Sequence, residues 1–314
     1  MNFLQQYDDQ CLDKINRLFN QIERGAYTLP RESLDALTSV PLKAGVNKGA
    51  LTFTYKLLSE LGVAKVIASN AKDLPAVSRA YKLKTVVIKD VGDSYCFTQD
   101  EIDSYLFAGG SIEADDANTA RRKIDEKVDE IIFIGEADNE ILGLLNNPNV
   151  TVATANPVGD ENVTAWKSKT LDQIKDDIQI ALDAIFNATK GPRGGETVRP
   201  DTIKIPRDAY ISLTNRYKSE HSDVTYLQAL KALFEPQGLM NWELCNSANN
   251  AGEDGESRAL FYKKSMENVF SIVPVAFRVL PPQYEGLCVT YNCLAKTAGT
   301  VWRRPTTGCY MDGV

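Results

Sequence analysis

Apolar side chains near the start of the chain fall at Leu4, Tyr7, Cys11, Ile15, Leu18 and Ile22, three or four positions apart, with Asp8, Asp9, Asp13, Lys14 and Arg17 between them. That spacing predicts an amphipathic helix, closed by Gly25. Pro30, Pro41, Gly45 and Gly49 follow, so the chain to about residue 50 reads as an extended, irregular connector. A helix so detached must bury its stripe either on its own domain or on a neighbouring subunit. β-branched residues then dominate Val63 to Ala68 and Ala76 to Val91, with polar Asn70 to Pro75 between them, which predicts a long hairpin. Arms of about 15 residues at ~3.3 Å each would reach ~50 Å, more than a compact domain needs internally. Such a hairpin is expected to touch another molecule.

Helical patterning follows. Thr98 and Glu101 form a T-x-x-E capping box ahead of Ile102, Tyr105 and Leu106, and Gly109-Gly110 ends that short helix. Ser111 opens the strongest helix. Glu113, Asp115 and Asp116 sit in its first turns, Ala117, Ala120, Ile124, Val128 and Ile131 form one apolar face, and Gly135 is the stop. Its charged run, Arg121 to Lys123, Asp125 to Lys127 and Asp129-Glu130, reads as the solvated side. A turn at Gly143 to Asn146 with Pro148 leads into a polar loop to Trp166. Thr170 with Gln173 then caps a helix with the stripe Leu171, Ile174, Ile178, Leu182 and Ile185, stopped by Gly191-Pro192.

Beyond it the pattern predicts a buried strand at 202–205, short helices at 206–213 and 225–234, and strands near 239–244, 260–262 and 269–277. Residues 246–257 read as a flexible acidic loop. Strands at 287–294 and 299–304, joined by a turn at 295–298, return the chain to sheet. Helices and strands mix without βαβ regularity, so the fold class is α+β.

Composition narrows the function. The 314 residues are 43% hydrophobic and 25% charged, which suits a globular chain with one large core or two smaller ones. Lys and Arg number 35 against 42 Asp and Glu, a formal net charge of −7. So acidic a chain lacks the cationic face that phosphate neutralisation needs. With His221 as the single histidine, multi-histidine metal centres are excluded. MNFLQQYDDQ has neither the cationic start nor the apolar core of a secretory signal, and the longest apolar stretch, Val269 to Phe277, is too short to span a bilayer. A soluble chain made in a cytoplasm is expected. Its six dispersed cysteines then read as free, mostly buried thiols.

Catalytic motifs are scarce. Gly191 to Gly195 lacks the Lys and Ser/Thr of a phosphate loop, and it follows a helix where such a loop follows a strand. Cys288 and Cys293 are too far apart for a zinc knuckle. His221, among Ser219, Glu220, Ser222 and Asp223, reads as a surface histidine in a polar loop. Asp115 and Asp116, adjacent on a helix, diverge and cannot clamp one substrate. No enzyme activity, cofactor or metal is expected.

The order of the pieces carries more than any motif. An amphipathic arm, a long hairpin, a capped short helix, a spine-like helix ending at Gly135, the turn GLLNNPNV at 143–150, TIKIPRDAY at 202–210, LPPQYEGL, and a final segment with RRP and DG resemble a tailed-bacteriophage major capsid protein. The fold is the Hong Kong 97 type, and the chain looks like its encapsulin-related branch, over essentially the whole length from about Gly62.

The resemblance implies an N-terminal arm at 1–61 and an extended hairpin loop at 62–97 lying over a neighbouring subunit. It further implies a peripheral domain at 98–164 with its spine helix at 112–134, an axial domain at 165–267, and a return to the peripheral domain at 268–314. Leu4, Ile15, Leu18, Ile22, Lys82, Lys84, Lys89, Arg303 and Arg304 are the inter-subunit contacts it suggests. Function then follows as self-assembly through hexamers and pentamers into an icosahedral shell enclosing double-stranded DNA. Portal, scaffold and decoration proteins would be its partners, with no membrane, and the product would be a virion assembled in the host cytoplasm. One variant of the family crosslinks subunits through a lysine–asparagine bond, but no motif here identifies the partner residues.

Two other readings stand beside this one: an encapsulin-type bacterial nanocompartment shell, and a soluble α+β enzyme or ligand-binding protein with a concave polar pocket. The arm supplies a test. Deleting residues 1–24 is expected to leave a folded subunit, by circular dichroism, while lowering particle yield; an unfolded truncation would mean that the stripe packs internally.

Overall fold

The computed structural model describes residues 32–61, 78–108, 113–159, 163–190, 198–219 and 222–314. The chain divides into two compact units, 1–33 and 34–314, and every element described belongs to the second. Leu4, Ile15, Leu18, Ile22, His221, the glycine-rich stretch at 191–195 and the Val63–Pro75 part of the expected hairpin lie outside the described residues.

The expected connector holds a short helix, α1 (Ala36–Ser39), and it is pinned at several points. Ala36 N donates to Asp129 Oδ1 at 2.8 Å, and Tyr262 Oη donates to the Ser39 carbonyl at 2.7 Å. Lys43 N and Ser271 N then exchange bonds with Ser271 O and Pro41 O. Asp129 is therefore not on the solvated side of its helix. It satisfies a free backbone N–H at the start of α1.

The hairpin consists of β1 (Thr52–Leu61) and β2 (Ser78–Val87), in register from Thr52↔Val87 to Leu61↔Ser78. Its first arm begins upstream of the β-branched run that sequence pattern favoured, and its second stops at Val87. Ile88 makes the break: its N–H bonds Leu51 O at 2.8 Å and its side chain is buried beside Tyr55, Phe270, Ile272 and Val301. The next strand, β3 (Lys89–Thr98), leaves the hairpin and pairs over ten residues with β13 (Cys288–Thr297). Tyr95, Phe97 and Tyr291 cluster within this ladder, with Tyr95 and Tyr291 stacked at 5.1 Å.

Helix α2 (Gln99–Ala108) starts at the expected box, where Thr98 N and Oγ1 both donate to Glu101 Oε2, at 2.9 and 3.0 Å. Helix α3 (Glu113–Phe133) buries Ala120, Ile124, Val128 and Ile131, as its spacing predicts. Arg122–Glu126 at 2.9 Å and Lys123–Glu126 at 2.9 Å lie on its outer side, each worth a few tenths of a kcal/mol, about 0.3–0.5.

Past α3 come two-residue strands β4 (Gly135–Glu136) and β5 (Ile141–Leu142), and then β6 (Thr151–Thr154), inside what reads as polar loop. Helix α4 (Leu171–Thr189) follows the second capping box, with Thr170 N donating to Gln173 Oε1 at 2.9 Å, and buries Ile174, Ile178, Ala181 and Ile185. β7 (Thr202–Pro206), α5 (Arg207–Asn215), α6 (Tyr226–Phe234), β8 (Asn241–Cys245) and β9 (Arg258–Tyr262) fall close to their expected places.

Residues 246–257 are more ordered than their composition suggests. They form two short 3₁₀ turns, and Ala248 is fully buried. The run at 269–277 is two strands, β10 (Val269–Ser271) and β11 (Val275–Val279), with Pro274 between them. β12 (Gln283–Glu285) and β11 both lie on β13. β13 itself runs through the expected turn to Thr297, and β14 (Thr300–Trp302) pairs with β10.

The largest sheet has the order β6-β15-β9-β7-β8, where β15 (Gly308–Asp312) is parallel to β6 and antiparallel to β9. It draws on chain segments from both sides of the boundaries expected at 165 and 268. One face packs with α4, α5 and α6. Leu260, Tyr262 and Tyr310 belong to a second core, with α3 and the β3–β13 ladder.

Two glycines at positive φ separate steric from torsional cost. A Cβ at Gly135 (φ 82°) would collide with Ile141 O and with Gly143 N, whereas at Gly45 (φ 81°) it would meet nothing within 4 Å. Gly45→Ala is expected to cost about 1–2 kcal/mol, the torsional term alone. Gly135→Ala is expected to cost more than about 3 kcal/mol. Urea midpoints of the unassembled variants check this; equal losses would refute it.

Candidate assembly surfaces

A two-stranded ribbon is marginal by itself, and this one is held at its base. Strand alternation puts Phe53, Tyr55 and Leu57 on one face with Lys82, Lys84 and Val86 opposite them. Phe53 and Tyr55 meet Phe270 edge-on at 6.1 and 6.4 Å. Arg303 lies over the Phe270 ring at 5.0 Å and the Tyr55 ring at 5.9 Å. Burial raises the Tyr55 pKa, with Arg303 opposing the shift.

Arg303 is thus built into the hairpin root of its own subunit. Arg304 pairs with Glu267 at 3.7 Å, exposed on both sides. Lys82 and Lys89 are exposed and Lys84 is half-buried. The other hairpin face carries Lys56, Leu58, Tyr81 and Leu83; Leu58, Tyr81 and Leu83 are 49%, 61% and 60% exposed.

Between the hairpin root and the body lies a cleft of about 240 Å³ lined by Lys84, Glu140, Asn149 and Trp302, among others. Glu140 is the one non-glycine at positive φ among the described residues. Trp302 Nε1 is buried without a hydrogen-bond partner. Among the described residues no group of three His, Cys, Asp or Glu converges to hold a metal, and no helix is long and apolar enough to cross a membrane.

Two sequence motifs with no chemistry of their own meet in space. Leu144 N and Leu145 N, in the GLLNNPNV turn, donate to the Ile132 and Phe133 carbonyls at 2.8 and 2.9 Å, so the turn satisfies the open end of α3. The C-terminal strand holds the turn from the other side. Tyr310 Oη donates to Leu144 O at 2.6 Å and accepts from Asn147 N at 3.1 Å. Arg258 donates to Leu145 O at 2.6 Å and makes a bidentate pair with Asp312 at 2.6 and 2.8 Å, its guanidinium 4.5 Å over the Tyr310 ring. Burial pushes the Tyr310 phenol well up, so it stays a neutral donor.

Buried charge recurs on both sides of the sheet. Lys169 and Asp177, both fully buried, are 2.5 Å apart, and Asp177 also accepts from Trp166 Nε1 at 3.1 Å and Asn156 N at 3.0 Å. Lys204 reaches Ser39 Oγ at 2.6 Å and Glu243 at 2.5 Å. Composition gives no hint of these pairs. The five described cysteines are free; burial raises Cys245 to about 11, with Lys204 opposing, and Cys309 to about 12.

These features belong to a scaffold that shows large apolar side chains to its surroundings. Phe107 is 96% exposed, Leu287 77%, Tyr284 76% and Met240 66%.

Residues 62–314 match the family described as major capsid protein. The chain belongs to the major capsid protein family. Its subunits assemble with their own kind into the icosahedral shell of a virion, and the chain is a structural protein of that shell.

Solved structures agree on the fold. The capsid of Myoviridae phage XM1 is 16% identical with a TM-score of 0.77, covering 95% of this chain and 98% of that one. Mycobacterium phage Bobi gives 16% identity and a TM-score of 0.61, over 96% and 97%. A virus-like particle from Pyrococcus furiosus gives 14% and 0.52, over 99% and 100%. This is the Hong Kong 97-type fold, as the order of elements suggested. Among curated sequences none matches the chain.

The Arg258–Asp312 pair permits a direct test of how the capsid subunit is held together. Asp312→Ala leaves a buried guanidinium uncompensated and is expected to cost about 3–5 kcal/mol. Denaturant unfolding of the unassembled subunit reads this; a loss under about 1 kcal/mol would show the pair to be dispensable.

Proposed function

We propose that this capsid subunit assembles through hexamers and pentamers into a phage head enclosing double-stranded DNA. The observation that carries the reading is the hairpin: among the described residues its strands pair only with each other, yet it presents Leu58, Tyr81 and Leu83 to solvent. A subunit that lies over its neighbour gains the burial that a lone ribbon lacks. Many such contacts, each modest, sum across the shell by multivalency.

In this reading residues 165–267 form the axial domain around five- and six-fold axes, with 98–164 and 268–314 as the peripheral domain. The arm at 1–61, through Leu4, Ile15, Leu18 and Ile22, clasps a neighbour. Lys82, Lys84, Lys89 and Arg304 face adjoining subunits. Portal, scaffold and decoration proteins complete the particle in the host cytoplasm, and the subunit catalyses nothing. Its net charge of −7 lines a container that encloses DNA without gripping it.

An encapsulin-type shell with a protein cargo is the second reading, favoured by the likeness to the virus-like particle over the full length of both chains. Electron microscopy of the expressed protein, with nuclease and mass-spectrometric analysis of the contents, tests both. Closed particles of uniform diameter are expected, in the phage setting filled with DNA. A stable monomer or dimer that never assembles, even with scaffold, would overturn the shell reading; a cargo enzyme inside would select the second.

A further inference from the structure

Charge along the chain is sharply segregated around the hairpin. Residues 52–89 carry seven cations and two carboxylates, whereas residues 90–120 carry eight carboxylates and no cation. The hairpin and the helix α2 that follows β3 carry parts of these two runs. On the hairpin, the face turned away from Phe53, Tyr55 and Leu57 bears Lys56 and Arg79 beside Leu58, Tyr81 and Leu83, all five exposed. On α2, Asp100, Glu101 and Asp103 are exposed; Asp93 on β3 and Asp116 on α3 are exposed as well. Beside them stand Phe107 on α2 itself and Leu287, whose carbonyl accepts from Gln99 N at the start of α2.

Among the described residues Lys56 makes no ion pair, nor do Asp100, Glu101 and Asp103 on α2; the bonds of the last two are local, from Thr98 to Glu101 and from Gln99 to Asp103. The α2 surface sets Phe107 and Leu287 beside carboxylates, and the hairpin face sets Leu58, Tyr81 and Leu83 beside Lys56 and Arg79, with Glu60 opposite Arg79 in the register. That composition suits an interface whose apolar centre gives affinity and whose charges fix partner and register. Unrelieved negative charge around α2 also favours a cationic partner over another copy of itself.

We infer that the acidic α2 surface of one copy receives the Lys56–Arg79 face of the hairpin from a second copy, with Phe107 and Leu287 meeting Leu58, Tyr81 and Leu83. The inference rests on the shell reading and adds to it the receiving surface and the face that docks. It assigns the contact with α2 to Lys56 and Arg79; Lys82 and Lys84, on the opposite face, are left to other neighbours. The interface is electrostatic in register, so assembly weakens as salt screens it.

A charge swap in the full chain tests this. The hairpin variant Lys56→Glu/Arg79→Glu and the acidic variant Asp100→Lys/Asp103→Lys are each expected to lower particle yield at least tenfold at low salt, read by light scattering and electron microscopy. The four-substitution chain, with the signs exchanged, is expected to recover most of the yield. Lys82→Glu/Lys84→Glu is expected to disturb assembly less than Lys56→Glu/Arg79→Glu.

Circular dichroism and urea midpoints of the unassembled proteins check folding. Should a reversal variant fail to fold, Lys56→Gln/Arg79→Gln replaces it, with a threefold or greater loss of yield expected. Particles from the wild type but undiminished yield from either patch variant would overturn the inference, as would a four-substitution chain that folds and does not recover. Failure of the wild type itself to form particles would instead overturn the shell reading.

Discussion

The fold depends on one closure, the seating of β15 against the turn at 143–150. β15 lies inside the five-stranded sheet, between the edge strand β6 and the central strand β9. Tyr310 and the Arg258–Asp312 pair then fasten the turn, and the turn closes the carbonyl end of α3. The two hydrophobic cores meet across this sheet, so neither is complete without it. Burying a guanidinium and a carboxylate is costly unless every donor and acceptor finds a partner. Here the bidentate geometry, the Leu145 carbonyl and the Tyr310 ring supply partners that only the closed arrangement provides, which is how buried ionic groups select one conformation.

The contacts that make this closure join residues more than a hundred positions apart, as between Leu145 and Arg258 or Asn147 and Tyr310. Long loops must therefore order before the sheet rewards them, which slows folding. Local elements with strong signals offset part of that cost. The capping boxes at Thr98 and Thr170 and the apolar stripes of α3 and α4 favour helices before any tertiary contact forms.

Those same local signals were legible in the chain, and their limits explain what was not. The stripes of α3 and α4, the boxes and the buried run of β7 need only near neighbours to read. β15, Gly-Cys-Tyr-Met-Asp, is buried along its whole length and so lacks alternation, while β6 is a four-residue strand of ordinary composition. Both are strands because of what lies beside them. In β1, Thr-Phe-Thr-Tyr-Lys-Leu does alternate, but the denser β-branched run after it drew the expected arm downstream. Lys169, Asp177, Lys204, Arg258 and Asp312 read as surface residues by type, since their burial follows from partners brought together only by the fold. On the assembly surfaces, Lys82 and Lys84 stood out by position. Which hairpin face each cation occupies required the strand register.

Ile88 joins two ribbons that share one strand of chain, the β1–β2 hairpin and the β3–β13 ladder, and its buried side chain fixes where one ends and the other begins. Ten paired residues at ~3.3 Å make the hairpin a lever of ~33 Å. A difference of ~10° in direction at its packed root corresponds to about 6 Å at the far end of the ribbon. The packing of Ile88 with Tyr55, Phe270 and Val301 therefore sets where the tip of the ribbon arrives, and a small change in that packing is magnified along its length.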